Sequence, residues 1–221
     1  MTTAKKIEIL KSFVTEKRFQ RFQEIINQRT RYITIVLEDV FQGHNASAVL
    51  RSCDCFGVQD VHFIENRNTF KTNEEVSMGA AQWLSIHRHN ENNINNTEIC
   101  YKALRNKGYK IVATSPHYQS VSIDKLDIHQ PIALIFGAEK EGLSEYALKN
   151  ADEYVYIPMF GFTESFNISV SAALCMYELN KKIRNTDFPF QLKEEEKQEL
   201  LLEWLKNSID DADKILERYK V

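Results

Sequence analysis

Through the middle of the chain, short apolar runs rich in β-branched residues alternate with longer stretches whose apolar positions recur every three or four residues. Ile33–Leu37, Val61–Ile64, Tyr109–Thr114, Ile132–Phe136 and Tyr154–Ile157 read as strands. Asn45–Phe56, Thr97–Lys107, Ser144–Asn150 and the long amphipathic Ser165–Ile183 read as helices. This alternation predicts an α/β domain with a mainly parallel sheet and helices on both faces. Ligands of such sheets bind beyond the carboxyl ends of the strands. The polar run His89–Thr97 reads as a surface loop, and residues 191–220 carry a helical pattern through Leu200, Leu201, Trp204, Leu205, Ile209, Ile215 and Leu216. No internal repeat is present, and no linker separates two domains.

Composition narrows the class. Charged residues make up 27% and hydrophobic ones 43% of 221 residues, with only Gly 7 and Pro 4, which excludes collagen-like, low-complexity and largely disordered chains. The longest apolar stretches fall far short of the roughly 20 residues that span a bilayer. The start MTTAKKIEIL has no apolar leader core, so a cytoplasmic protein is expected, with no membrane partner. Cys53, Cys55, Cys100 and Cys175 are too few and too scattered for a disulfide framework, and a single Cys-x-Cys lacks the second pair of a zinc site; reduced core thiols are expected. Among the histidines, His44 borders a motif described below, whereas His62, His87, His89, His117 and His129 have no spacing that nominates a ligand set. His87-x-His89 on a strand would face one side without a further visible ligand, and no metal is expected.

The formal charge of −3 argues against a polyanionic partner, but it is unevenly spread. The first 32 residues hold eight bases against three acids; from Asp187 onward there are ten acids against six bases. On charge alone, two solvated helix faces and a polyanion-binding end are equally good readings.

Three segments carry more than packing. In Asn45-Ala46-Ser47-Ala48-Val49-Leu50-Arg51, Asn45 follows a strand and Gly43, where an N-cap would sit. Arg51 lies six residues on, about 120° around the helix, so the two side chains can line adjoining sides of one cleft. Taken alone, the segment is also a capping Asn and a surface Arg. Ile135-Phe136-Gly137-Ala138-Glu139-Lys140-Glu141-Gly142-Leu143-Ser144 is a buried strand breaking into a loop with two glycines, which lets backbone approach a ligand; a plain strand-to-helix turn fits as well. It is neither a dinucleotide fingerprint nor a phosphate loop. The third, Ile157-Pro158-Met159-Phe160-Gly161-Phe162-Thr163-Glu164-Ser165-Phe166-Asn167-Ile168-Ser169-Val170, joins a strand to a helix opened by polar residues, where Ser165 could equally be a cap.

In this order and combination, the N-x5-R, G-x-E-x-x-G and I-P-M-x-G-x-x-x-S-x-N-x-S-V patterns resemble the SpoU group of SPOUT RNA 2′-O-ribose methyltransferases across most of residues 18–185. The stretch LEDVFQGHNASAVLRSCDCFGVQDVHFIE is most similar to the members that methylate a D-loop guanosine of tRNA, and helical extensions at both ends fit that subgroup. The resemblance implies S-adenosylmethionine as cofactor, tRNA as substrate and a homodimer joined through the knot helices. It also implies a trefoil knot over about residues 131–185. The expected division is a basic helical extension (1–32), the methyltransferase domain (33–185) and an acidic helical extension (186–221). The alternatives are the same chemistry on ribosomal RNA or the tRNA wobble nucleotide and, from another class, a knotted RNA-binding protein without activity.

By resemblance, Asn45, Arg51, Glu139, Ser165 and Asn167 are the catalytic set, and Thr114, Gly137, Gly142, Leu143, Ile157 and Phe166 surround the cofactor. Phe166 departs from the family, which usually has Leu there. Lys17, Arg18, Arg21, Arg29 and Arg31 are the expected RNA phosphate contacts.

Overall fold

The computed structural model describes residues 1–69, 74–115 and 120–219; His117 and Lys220 lie outside them. In chain order the first elements are α1 (Thr3–Lys11), α2 (Glu16–Ile26), β1 (Ile33–Glu38), α3 (Gly43–Phe56) and β2 (Asp60–Ile64). There follow α4 (Glu74–Ser77), β3 (Ser85–His89), α5 (Asn96–Asn106), β4 (Lys110–Thr114), β5 (Val121–Ser122) and β6 (Ile132–Phe136). The last are α6 (Glu145–Lys149), β7 (Glu153–Tyr156), α7 (Ile168–Arg184), α8 (Glu194–Ser208) and α9 (Ala212–Arg218). None of these helices is long and apolar enough to cross a membrane.

The chain forms two compact units, residues 31–190 and residues 1–30 with 191–221. Among the described residues of the larger, seven strands pair in the order β3-β2-β1-β6-β4-β7-β5, and every pairing is parallel. Burial follows from that arrangement, because crossover helices cover a parallel sheet on both sides and its strands read as continuous apolar runs. β1 and β6 are buried along their whole lengths. Ile33, Ile35, Leu37, Leu134 and Phe136 pack on one face with Val49, Leu50 and Cys53 of α3 and Ala172, Met176 and Leu179 of α7. Val36, Ile111, Ala113, Ala133 and Ile135 pack on the other with Cys100, Tyr101 and Leu104 of α5 and Ala147 of α6. All seven strands therefore end on one edge.

Two helix starts differ from expectation. α3 begins at Gly43, so Asn45 lies inside its first turn, and the cap position belongs to Gln42, which makes no side-chain cap bond. α7 begins at Ile168 and is capped by Asn167, whose side chain accepts from the Ser169 N–H at 2.9 Å. Ser165 stays in the preceding loop, Asn being at least as good a cap. The expected loop beginning at His89 instead begins after it, because His89 is the last residue of β3.

The second unit gathers the two ends of the sequence into one small helical core. Phe22 of α2 meets Trp204 of α8 edge to face, ring centres 5.8 Å apart, and Leu10, Phe19, Ile26, Leu200, Leu205 and Leu216 are buried. A single antiparallel bridge joins Thr30 to Gln191.

β2 and β3 carry an unusual histidine cluster on the α5 side. His62 stacks on His87 at 4.4 Å between ring centres, and its Nδ1 lies 3.0 Å from His89 Nε2. The nearest ligand-type atoms of His62, His89 and Cys100 lie within 4.8 Å of one another, a grouping that brings a neighbouring strand and a helix to the His87-x-His89 pair. The two imidazoles share a hydrogen bond, and burial pushes the Cys100 thiol well above its ordinary range. Burial, aided by His87 and His89, pushes His62 down to about 3. An unfolded histidine takes up its proton below about pH 6.5. Between those values acid therefore favours the unfolded chain, and folding should weaken by about 2 kcal/mol at pH 5 relative to neutral pH. Urea unfolding at pH 7.5, 6 and 5 should show this slope, and His62→Gln should flatten it; equal slopes for the two proteins would contradict the assignment.

Candidate active site

A cavity of about 460 Å³ opens beyond the carboxyl ends of β4, β6 and β7. Its walls come from Thr114 and Ser115 at the end of β4, residues 136–139 with Gly142 and Leu143 at and beyond the end of β6, and Tyr156, Ile157 and Met159 at and beyond the end of β7. Glu164–Ile168 with Ser171 and Cys175 of α7 close another side, and Gln42 and Asn45 complete it. The size suits a nucleoside-sized ligand.

The loop after β6 is shaped by a close backbone approach. Ala138 and Gly142 exchange both hydrogen bonds of an antiparallel bridge, at 3.0 and 2.8 Å, folding residues 139–141 back on themselves. A Cβ on Gly137 would stand 2.2 Å from the Gly142 carbonyl carbon, so only glycine permits the fold-back. Gly142 has φ +69°, the left-handed region that glycine enters without steric cost.

Asn45 joins the three sequence segments. Its Nδ2 donates to Glu139 Oε1 at 2.8 Å and Gln42 Oε1 at 3.1 Å, while its Oδ1 accepts from Asn167 Nδ2 at 3.1 Å. Asn167 Oδ1 in turn accepts from the Ser169 hydroxyl at 2.6 Å. Asn45 is buried, and Glu139, Ser165 and Asn167 are exposed at the cavity. Glu139 and Asn167 at the cavity are thus both tied to one buried amide.

Of the expected site residues, Asn45, Glu139, Ser165, Asn167, Thr114, Gly137, Gly142, Leu143, Ile157 and Phe166 all line this cavity. Arg51 does not; it is exposed on α3, outside the lining. Gln42, Ser115, Tyr156, Met159, Ser171 and Cys175 line the cavity without having been expected there. For Ser171 and Cys175 a signal existed, because Ile168, Ser171 and Cys175 fall three and four residues apart on one stripe of α7. Burial pushes the Cys175 thiol up to about 12, which keeps it protonated beside the cavity.

The basic residues divide. Lys17, Arg18 and Arg21 are exposed on α2. Arg29 is only 1% exposed and lies over the Trp204 ring at 5.2 Å, so its place among RNA contacts is corrected: it is a packing cation of the helical unit. Arg31 is also engaged, donating through Nε to both Asp60 carboxylate oxygens at 3.2 Å.

The sequence model described as the SpoU rRNA Methylase family matches residues 32–177. The chain belongs to the SpoU methylase family. A relative from Borreliella burgdorferi, named tRNA (guanosine(18)-2′-O)-methyltransferase, is 39% identical over 93% of this SpoU chain and 92% of its own length. The crystal structure of the Aquifex aeolicus TrmH/SpoU tRNA modifying enzyme, 29% identical, superposes with a TM-score of 0.77 over 88% of this chain and 98% of that one. The SpoU methyltransferase AviRb from Streptomyces viridochromogenes, in complex with AdoMet, superposes with a TM-score of 0.62 at 23% identity over 74% of this chain and 65% of that one, a likeness of fold. The seven-stranded parallel sheet is the SpoU fold, and this SpoU chain is a methyltransferase.

Replacing Gly137 by Ala should cost about 1–3 kcal/mol through overpacking against the 142–143 backbone. Gly142→Ala should cost about 1–2 kcal/mol through its left-handed conformation. Chemical unfolding of both variants measures this.

Proposed function

We propose that this chain transfers a methyl group from S-adenosylmethionine to the ribose 2′-hydroxyl of guanosine 18 in the D-loop of tRNA. The observation that carries the reading is the convergence of the three motifs on one cavity, with Asn45 bonded to both Glu139 and Asn167 at its rim. The relatives' names supply the nucleotide.

The residues present suit the cofactor. The fold-back at Gly137 and Gly142 leaves backbone open to a ligand, and Leu143, Ile157 and Phe166 give apolar walls for an adenine ring. When bound, the cofactor supplies a methyl group activated on a sulfonium. No step needs a metal. The protein's share is to align the 2′-hydroxyl with that methyl, exclude water and dispose of a proton. An arginine in water is neutral in only about one molecule in a million at pH 7, so an unaided guanidinium is a poor base. Arg51 acts as a cation, holding an RNA phosphate and the 2′-oxygen together as RNA covers the cavity. Ser165 and Asn167 fix phosphate and ribose, and the proton leaves through phosphate or water. Glu139 orients Asn45 and closes the cavity rim.

The same reading gives the chain a trefoil knot over about residues 131–185 and a homodimer. Val170, Leu174 and Tyr177 form an exposed apolar stripe on α7, the face on which a second copy would pack. RNA phosphates meet α2 through Lys17, Arg18 and Arg21.

Methylation of unfractionated tRNA with labelled cofactor, followed by mapping of 2′-O-methyl sites, should place the label at guanosine 18; label confined to ribosomal RNA would overturn the substrate. Arg51→Ala should lower transfer on the order of a hundredfold, as loss of a charge-stabilising donor does, and near-wild-type rates for both Arg51→Ala and Arg51→Lys would remove its role. Replacing Lys17, Arg18 and Arg21 by Ala should reduce the slope of log affinity against log salt by about one per residue. Light scattering should give a dimer for the wild type and a monomer for Leu174→Glu.

A further inference from the structure

Glu38 is the last residue of β1 and is 1% exposed, yet it carries a carboxylate into the α5 side of the sheet, where its strand neighbours on that face are Thr34 and Val36. Both of its oxygens are engaged. Oε1 accepts from the Thr97 hydroxyl at 2.5 Å and the Ser144 hydroxyl at 2.8 Å, and Oε2 accepts from the Ser144 backbone N–H at 2.8 Å. A buried carboxylate costs folding energy unless such bonds are made, and an apolar residue of similar size would avoid that cost. Its presence there therefore calls for a reason beyond stability.

Ser144 supplies that reason. It is the N-cap of α6, accepting from the Ala147 N–H at 3.1 Å, and it directly follows Gly142 and Leu143, which line the cavity. The upstream end of the 137–143 loop is fixed by β6, and its middle by the Ala138–Gly142 bridge. Its downstream end is held from behind by Glu38, and β1 is the strand paired directly with β6. Thr97 joins the same carboxylate to the start of α5, and its hydroxyl accepts from Asn66 Nδ2 at 3.0 Å.

We propose that Glu38 is a positioning residue of the cofactor pocket: it touches no ligand, but anchors Ser144 so that the backbone of Gly142 and Leu143 stands ready for S-adenosylmethionine. The inference rests on the cofactor assignment above.

The test is calorimetric binding of S-adenosylmethionine to the full-length chain, with steady-state constants for cofactor and tRNA. Glu38→Ala should raise the cofactor Kd and KM about tenfold, the loss expected when a buried amide loses a charged acceptor, and leave kcat at saturating cofactor and the KM for tRNA within about threefold. Glu38→Gln should restore cofactor binding to within about threefold, because its carbonyl accepts from the Ser144 N–H while its amide donates to the two hydroxyls. Should Glu38→Ala not fold, Ser144→Ala and Thr97→Val decide: weakened cofactor binding in the first alone supports the anchor, and equal loss in both overturns it. Wild-type protein that binds no S-adenosylmethionine overturns the cofactor assignment and this inference with it. Wild-type binding together with unchanged binding by Glu38→Ala overturns this inference alone.

Discussion

At Gly137 the chain leaves the middle of the sheet through a gap too narrow for a single methyl group, with the 142–143 backbone pressed against its Cα. That contact turns the loop back toward the strand edge instead of letting it run outward. The fold-back carries Glu139 to within 2.8 Å of an amide on α3, and it exposes loop backbone to the cavity. A side chain at 137 would separate these elements, and the polar groups at the rim would lose their common frame.

Asn45 converts that steric arrangement into an electrostatic one. A buried amide has two donors and an acceptor to satisfy, and here they are taken by a carboxylate, a neighbouring carboxamide and a second asparagine. Each of the three sequence segments supplies at least one member. Glu139 and Asn167 at the rim are therefore tied to each other through one side chain. Arg51 stands apart from this network on the exposed side of α3, a placement suited to a group whose partner comes from solution.

Much of this was legible in the sequence for physical reasons. Ile132–Phe136 reads as a buried strand because five apolar residues end at a glycine, and the structure gives the same bounds. Local pattern could not locate the start of α3, because Gly43 and His44 are weak helix formers and yet belong to its first turn. Nor does charge counting reveal burial: Arg29 belongs to a basic segment, but its guanidinium lies over an indole from the far end of the chain. The histidine cluster escaped for the same reason, since its members come from two strands and its thiol neighbour from a helix. Resemblance supplied the roles at the cavity; the geometry adds the bond from Asn45 to Glu139, which no spacing rule contains.

The two ends of the strand order have a further consequence. β5, only two residues long, forms one margin of the sheet, and β3, with Ser85, His87, Arg88 and His89 in five residues, forms the other. A short margin offers few free backbone groups, and a polar one resists being covered by another strand, so the sheet is poorly templated for edge-to-edge growth. Copies of this chain are thereby steered away from strand exchange and aggregation, leaving helix surfaces as the place where self-recognition can be specific.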